Sequence, residues 1–298
     1  MKVIRPATAE LTLSPVAPGR RRLGALRRFL SVPTTFFACA ILTTFLLLAL
    51  LPGVFAPYGE NESTGSYFGE PGAAHWFGTD QLGRDVLSRV VFGARESFIV
   101  GVLAVTMGTL VGAAVGVIGG YFKGPVDYVS QRAIDVLMSL PGILMALVIA
   151  TGLGASLFNV SLAIAVAILP TSARVVRGAT LTVAAMPYLE ASRSVGAGKV
   201  RMVVRHVLPN VAPPIIVIAS VQLGFAIIAE ASLSYLGLGV PLGTSTWGSM
   251  LSGSSLLYVQ KAPWLGLAPG IALTLVIVAT NLLGDALRDA WDPRLRGR

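Results

Sequence analysis

The sequence predicts an all-α integral membrane protein with six transmembrane helices and with both termini in the cytoplasm. The first observation is the composition, in which 54% of the residues are hydrophobic and only 12% are charged, whereas about 25% are charged in an ordinary soluble domain. The second is a series of uncharged apolar stretches, because a helix needs about 20 residues to cross about 30 Å of hydrocarbon. The third is an uneven distribution of Lys and Arg between the loops.

The six spans are the apolar parts of the uncharged stretches. We place them near residues 33–53, 98–120, 133–152, 157–176, 211–232 and 262–284. The third and fourth share one uncharged run that is too long for a single helix and that the sequence TGLGASLFN interrupts. Residues 231–260 are also uncharged, but 15 of the 30 are Gly, Ser, Thr or Pro. We interpret them as an external or re-entrant segment, with a seventh span as the alternative.

The orientation follows from the basic residues, because loops rich in Lys and Arg stay in the cytoplasm. With the N-terminus inside, the cytoplasmic segments 1–32, 121–133, 174–210 and 285–298 hold 19 of the 23 Lys and Arg residues, and the external segments 54–97 and 234–264 hold four. The predicted transmembrane domain is therefore 33–284. The predicted cytoplasmic segments are the tail 1–32, the loop 177–210 and the tail 285–298, and the predicted external loops are 54–97 and 233–261.

The net charge of +9 does not indicate nucleic-acid binding, because the basic residues lie in short loops where topology and anionic lipid headgroups account for them. The basic sequence RRLGALRR ahead of the first span resembles the start of a signal peptide. The uncharged run that follows, residues 29–59, is much longer than the apolar region of a signal peptide, which has about 7–15 residues. We expect the first span to be retained.

No catalytic constellation is present in the sequence. No Lys is followed by Ser or Thr, so the phosphate-binding loop GxxxxGK[ST] is absent and the chain is not expected to hydrolyse ATP. The two histidines, His75 and His206, are predicted on opposite sides of the membrane, which argues against a metal site built on paired imidazoles. A membrane protein of this kind is expected to transport, anchor or sense something and not to be an enzyme.

The second span contains a glycine stripe, in which Gly108, Gly112, Gly116 and Gly120 recur at intervals of four. This spacing places them on one helix face, where a missing side chain lets another helix approach closely. The stripe predicts helix packing, either within the chain or against another subunit.

Ionisable groups in or near the spans are few. Glu230 lies toward the outer end of the fifth span. A position near the interface lets it reach water or cap a neighbouring helix. We consider two roles for it, a structural or gating role and a direct contact with a transported solute. Asp135 follows Arg132 by three residues at the inner edge of the third span, a spacing that predicts a local ion pair.

The predicted external loop contains an amphipathic helix ahead of the second span. Thr79 or Asp80 is expected to cap it, and apolar side chains follow at helical spacing from Val86 to Ala94. We expect it to lie at the outer surface as structural support, with docking of an external partner as the alternative. Asp80 and Asp85 lack the further ligands that a metal site needs.

The predicted cytoplasmic loop contains the sequence PYLEASRSVGAGKVRMVVRHVLP at residues 187–209. Pro187 suits the first turn of a helix, and Glu190 lies near its N-terminal end, where the helix dipole favours an acid. Gly196 is expected to end this short helix. A second helix, 199–208, is expected to meet the fifth span at Pro209, so that the segment forms a rigid projection; a basic loop that only sets topology is the alternative.

This segment resembles the EAA loop of bacterial ABC-importer permeases, through Glu190, Ala191, Ser192, Gly196 and the closing Leu208-Pro209 pair. More narrowly, FGTDQLGRD, RHVLPN, AEASLSYLGLG and LRDAWDPRLR resemble the peptide and nickel permease family of the DppC/OppC type. The resemblance extends over about residues 30–298. Ser192 and His206 depart from the general pattern of the loop.

The resemblance implies the architecture of a type I ABC importer in the inner membrane. It implies that Glu190, Ala191, Ser192, Gly196, Leu208 and Pro209 couple the pathway to ATPase subunits. The expected partners are a second homologous permease, separate or fused cytoplasmic ATPases, an external substrate-binding protein and membrane lipid. ATP and Mg are expected on the ATPases, and this chain is expected to bind no cofactor.

The resemblance also implies a transported solute, with di- and oligopeptides first and with nickel, glutathione or another peptide-like solute as alternatives. Two other classes are an ion-coupled secondary transporter and a non-transporting membrane scaffold. An ion-coupled transporter usually has several ionisable groups at mid-membrane, and only Glu230 comes near such a position. Neither class predicts the pattern of the loop at 187–209.

Overall fold

The computed structural model describes residues 31–291 except 242, 253–257 and 259. The first 30 residues of the predicted N-terminal tail, and residues 292–298 of the predicted C-terminal tail, lie outside the described residues. The helices in the described part are α1 (Pro33–Leu50), α2 (Pro52–Phe55), α3 (Val86–Phe122), α4 (Gly124–Met138), α5 (Gly142–Leu153), α6 (Leu157–Ala184), α7 (Pro187–Ser194), α8 (Lys199–Met202), α9 (Leu208–Tyr235), α10 (Trp247–Leu251) and α11 (Trp264–Trp291).

Five helical stretches in the described part are long and apolar enough to cross a membrane, and there are six if the bent pair α4 and α5 counts as one span. The predicted all-α membrane fold is confirmed. The predicted sixth span, 262–284, corresponds to α11, which continues to Trp291, so the first residues of the predicted C-terminal tail are helical. In the predicted external loop 233–261, the described residues hold the five-residue helix α10 and no helix of spanning length.

The start of α3 differs from the sequence-based expectation. The side chain of Asp85, and not that of Thr79 or Asp80, caps the helix by accepting a hydrogen bond from the backbone N–H of Ser88 at 2.8 Å. Thr79 and Asp80 do not cap it because they are bonded within the preceding loop, Thr79 to Ser66 and Asp80 to Arg84. The expected amphipathic helix is therefore not a separate surface helix. It is the first part of α3, which continues without a break to Phe122.

The third predicted span, 133–152, is not one helix. The chain bends by 86° between α4 and α5, at the sequence Ser139-Leu140-Pro141. Pro141 has no backbone N–H to donate and disfavours helical geometry at Leu140, which accounts for the break. This bend directs the polar helix α4 away from the apolar helix α5.

The core is built around α3. The contact between α3 and α6 is the most extensive in the described part, and α9 packs against both helices. One buried apolar cluster joins α3, α5, α6 and α9, and a second joins α1, α3, α10 and α11. In the second cluster Trp247 of α10 is fully buried and donates a hydrogen bond to the carbonyl oxygen of Val90 at 3.1 Å. The segment after α9 therefore folds back against the bundle.

Candidate functional site

The short helix α7 projects from the end of α6, and its limits follow from local chemistry. Pro187 occupies the first turn, and Glu190 is the acidic residue of that turn, where it interacts favourably with the helix dipole. Gly196 has φ of +83°, in the left-handed region that favours glycine. Its backbone N–H donates to the carbonyl oxygen of Arg193 at 2.9 Å. Proline at one end and glycine just past the other therefore set the length of α7.

A single apolar side chain anchors α7 to the bundle. Leu189 is fully buried in an apolar cluster formed by the ends of α3 and α6, by α8 and by the start of α9, and this cluster includes Tyr121, Val183 and Met202. The Arg193 guanidinium lies 5.4 Å from the centre of the Tyr121 ring. The cluster that holds Leu189 therefore draws side chains from α3, α6, α8 and α9.

The opposite face of α7 is open to solvent. Glu190 and Ala191 are exposed, and Ser192 is partly exposed. The side chains beyond the helix include Val195, 85% exposed, and Val200, 76% exposed. This uncovered patch of apolar and polar groups is the kind of surface that marks a protein–protein contact.

The expected second helix after Gly196 is not separate from the fifth span. Residues Lys199–Tyr235 form one continuous rod, with a π-helical segment at Val203–Val207. Pro209 has no backbone N–H and so leaves one hydrogen bond of the helix unmade. Just before it the helix widens to a π-helical register, in which the Leu208 N–H donates to the carbonyl oxygen of Val203, and the helix continues through Pro209. Leu208 is 42% exposed and Pro209 is exposed, both in the first turn of α9.

The four glycines of the stripe face α6 within the same chain. An added Cβ on Gly108, Gly112 or Gly116 would lie 2.5–2.7 Å from a backbone carbonyl oxygen of α6. On Gly120 it would lie 2.9 Å from Thr180 Cβ. Of the two alternatives for the stripe, the structure shows packing within the chain.

Glu230 is completely buried, so of the two surroundings considered for it the structure does not show contact with water. Its carboxylate accepts hydrogen bonds from Ser97 Oγ at 3.0 Å and from Ser234 Oγ at 2.7 Å. Ser97 belongs to α3, so this contact joins α3 to α9. Burial occurs because the segment after α9 folds back and covers this end of the helix. The structure brings Glu230 close neither to α7 nor to the glycine stripe.

A second polar cluster, which the sequence did not identify, lies in the loop before α3. The Asp80 carboxylate accepts from the side chains of Arg84 at 2.7 Å and Arg89 at 3.1 Å, and His75 Nδ1 lies 2.9 Å from Asp85 Oδ1. The available signal was the i,i+4 spacing of Asp80 and Arg84. Asp80, Arg84 and Arg89 border a cavity of about 370 Å³ at the end of the bundle opposite α7.

Comparison with known proteins identifies the family. Residues 108–297 match the family described as "Binding-protein-dependent transport system inner membrane component". The match covers more than half of the chain, including α7 and the glycine stripe.

Three relatives are similar over most of their length. The glutathione transport system permease protein GsiD of Pectobacterium atrosepticum is 38% identical over 272 residues, 91% of this chain and 90% of the relative. The dipeptide transport system permease protein DppC of Alkalihalophilus pseudofirmus is 39% identical over 86% of this chain and 84% of the relative. GsiD of Escherichia coli O1:K1 is 40% identical over 85% of each.

A solved structure shares the fold. A chain of the MetNI methionine ABC transporter, in an inward-facing conformation, superimposes with a TM-score of 0.56 at 19% identity. The match covers 68% of this chain and 97% of that chain, which shows the permease architecture of type I ABC importers. The chain therefore belongs to the inner-membrane permease components of binding-protein-dependent transport systems.

Proposed function

We propose that this permease subunit forms half of the translocation pathway of an ATP-driven importer of small peptides, and that α7 couples the pathway to ATP hydrolysis. The names of the relatives, which are dipeptide and glutathione permeases at 38–40% identity, support a peptide-like solute. Glutathione is a second candidate for the same reason.

The observation that carries the coupling role is the two-sided arrangement of α7. Its inner face is fixed by Leu189 beneath the long helices, and its outer face, with Glu190 and Ala191, is free to contact another protein. In this proposal α7 lies in the cytoplasm and two ATPase modules, separate or fused, bind it. A second, related permease completes the pathway, and an external binding protein delivers the solute. ATP binds the ATPases with Mg, and this chain holds no cofactor.

The coupling step follows from linkage between conformations. If ATP draws the ATPase modules together, each module moves the α7 helix that it holds, and the Leu189 anchor transmits the displacement to α3, α6 and the α8–α9 rod. A ligand shifts such an equilibrium only by its different affinities for the two states. The solute-loaded binding protein on one side and ATP on the other supply those differences.

The test is uptake by proteoliposomes that contain both permeases and the ATPases, with the binding protein added outside. ATP-dependent uptake of a labelled dipeptide and of labelled glutathione is measured in parallel. Glu190→Arg should leave the subunit in the membrane but reduce uptake and stimulated ATP hydrolysis by about tenfold, which corresponds to about 1.4 kcal/mol of docking free energy. Glu70→Arg, an exposed position on the loop before α3, is the matched control.

Two results would contradict the proposal. If Glu190→Arg and Glu70→Arg transported equally, α7 would have no coupling role. If neither peptide nor glutathione entered with ATP present, the solute class would be wrong. The orientation is tested separately in a Cys39→Ser background, where a cysteine at the exposed Val195 should react with an impermeant reagent only from the cytoplasmic side.

A further inference from the structure

Three charged side chains form an ion-pair cluster on the surface of the subunit, where α4 lies beside α6. Arg174 Nη2 lies 2.7 Å from Asp135 Oδ1, and Arg132 Nη1 lies 3.6 Å from Asp135 Oδ2. The predicted local pair is therefore present, but the closer partner of Asp135 belongs to a different helix. All three side chains are open on this surface, with exposed fractions of 66% for Arg132, 45% for Asp135 and 49% for Arg174. We call these three residues the surface ion-pair cluster.

The depth of this cluster in the membrane follows from the register between α3 and α6. Gly112 faces the backbone nitrogen of Ala173, and Gly116 faces its carbonyl oxygen, so Arg174 is level with the stretch between these glycines. The uncharged part of α3 is 97–122, and we take its midpoint as the centre of the membrane. At 1.5 Å per residue, residues 112–116 lie about 4–10 Å from that centre. The half-thickness of the hydrocarbon is about 15 Å, so the backbone of Arg174 lies within it, on the side of α7.

Lipid is an unsuitable neighbour for these charges. A long Arg side chain can extend toward the headgroups, but the short side chain of Asp135 holds its carboxylate near the depth of its own backbone. Leu137 and Met138, just after Asp135, share a cavity with Pro170 and Thr171, just before Arg174, so Asp135 is about level with Arg174. Their 2.7 Å contact therefore holds the Arg174 guanidinium at that depth. Ionisable groups at hydrocarbon depth face protein or a water-filled cavity and not acyl chains. With roughly half of each side chain uncovered in the subunit, water is the neighbour that leaves all three charges solvated.

A cavity lies directly beyond the cluster, toward the middle of the membrane. It measures about 210 Å³, and its lining includes Leu137, Met138, Pro170, Thr171 and Gln222. Leu137 and Met138 follow Asp135 on α4, and Thr171 is three residues before Arg174 on α6. The lining also includes Leu140 and Gly142, which flank Pro141 at the 86° bend between α4 and α5. On each helix the cavity lining therefore begins two or three residues from the cluster, on its mid-membrane side.

The exposed face of α3 at the same depth is different. Its uncovered side chains there are apolar and include Leu110, 62% exposed, and Val111, 51% exposed. Such a face is compatible with lipid or with an apolar subunit contact. At one depth, therefore, the charged surface of α4 and α6 is suited to water, and the apolar surface of α3 is suited to hydrocarbon.

We propose that Arg132, Asp135 and Arg174 line the water-filled, α7-proximal half of the solute pathway, where they contact a zwitterionic solute. Guanidinium and carboxylate groups side by side match the carboxylate and ammonium ends of a peptide, and pairing with the wall replaces part of the hydration that the solute loses. The inference rests on the proposed function, because it assumes that binding of ATP to the ATPase subunits closes this half of the pathway.

The test is cysteine reactivity in the assembled transporter. Cys39 is the single cysteine of the chain, so Cys39→Ser provides a clean background for Arg174→Cys, Arg132→Cys and the equal-depth control Val111→Cys. Inside-out vesicles are treated with a charged, impermeant thiosulfonate, without nucleotide or with a non-hydrolysable ATP analogue. The modified fraction of this chain is read from a gel shift. If Arg174→Cys fails to assemble, Arg132→Cys still decides the test. Arg132 lies 3.6 Å from Asp135, farther than Arg174 does, so its loss should disturb the structure less.

We expect the cysteines at 132 and 174 to react without nucleotide and at least tenfold more slowly with the ATP analogue, while the cysteine at 111 stays unmodified in both states. Absence of reaction at 132 and 174 in both states would place the cluster against lipid or a sealed contact and overturn the inference. Rates that are equal or faster with the analogue would place it on the open cytoplasmic surface, which also overturns it. Failure of the peptide proposal is distinguishable, because it appears as absent uptake while this reactivity pattern persists.

Discussion

Replacing Gly112 or Gly116 by alanine tests the packing of α3 on α6. The added Cβ would lie 2.7 Å from the carbonyl oxygen of Leu169 at Gly112, and 2.5 Å from that of Ala173 at Gly116. Both neighbours are helix backbone, which cannot rotate away, so the two helices must separate by several tenths of an ångström. Overpacking of this kind costs about 1–3 kcal/mol. Leucine at either position should cost more and should reduce the amount of assembled complex in the membrane.

The measurement is the melting temperature of the purified complex in detergent, read by size-exclusion chromatography after heating. Gly178→Ala is the matched control, because it lies in α6 and an added Cβ there meets nothing within 4 Å. Alanine at 178 should be neutral or stabilise by up to about 1 kcal/mol through helix propensity. Equal melting temperatures for Gly116→Ala and Gly178→Ala would refute the reasoning.

Three further predictions concern single contacts. Glu230→Leu leaves the hydroxyls of Ser97 and Ser234 without their acceptor and should destabilise the complex by about 1–3 kcal/mol in thermal melting, whereas Glu230→Gln should retain most of the stability. Gly196→Val places a β-branched residue at φ +83°, which costs at least about 1–2 kcal/mol, and ATP-dependent uptake should fall although the complex is inserted. Asp85→Ala removes the cap of α3 and should cost about 1–2 kcal/mol.

Each of these predictions has its own control. Equal melting of the Leu and Gln variants at position 230 would show that the carboxylate does not hold α3 to α9. Gly198→Val is the control for Gly196→Val, since an added Cβ meets nothing within 4 Å at either glycine and, of the two, only Gly196 has positive φ. Equal uptake by both variants would show that the positive φ of Gly196 is not the reason for the loss. Asp85→Asn should melt near the unmodified protein, because Asn also caps helices well.

Much of the fold was predictable because it depends on local properties of the chain. The uncharged runs predicted where the membrane helices lie. The bend between α4 and α5 was not predicted, although its cause, Pro141, is local. Pro187 and Gly196 marked the two ends of the short helix, which extends over Pro187–Ser194. The cap of α3 was misplaced because Thr79, Asp80 and Asp85 are all good capping residues, and only the folded loop engages the first two elsewhere.

The sequence by itself determined that this chain enters a membrane as helices, that one helix face is bare of side chains, and that a short helix ends at Gly196. These outcomes follow from side-chain transfer free energy, from the missing Cβ of glycine and from the missing N–H of proline, all properties of neighbouring residues. Only the tertiary structure decided that Glu230 is buried against Ser97, that Leu189 anchors α7 and that Arg174 pairs with Asp135. Such contacts join residues far apart in the chain, and their geometry is set by how the long helices pack.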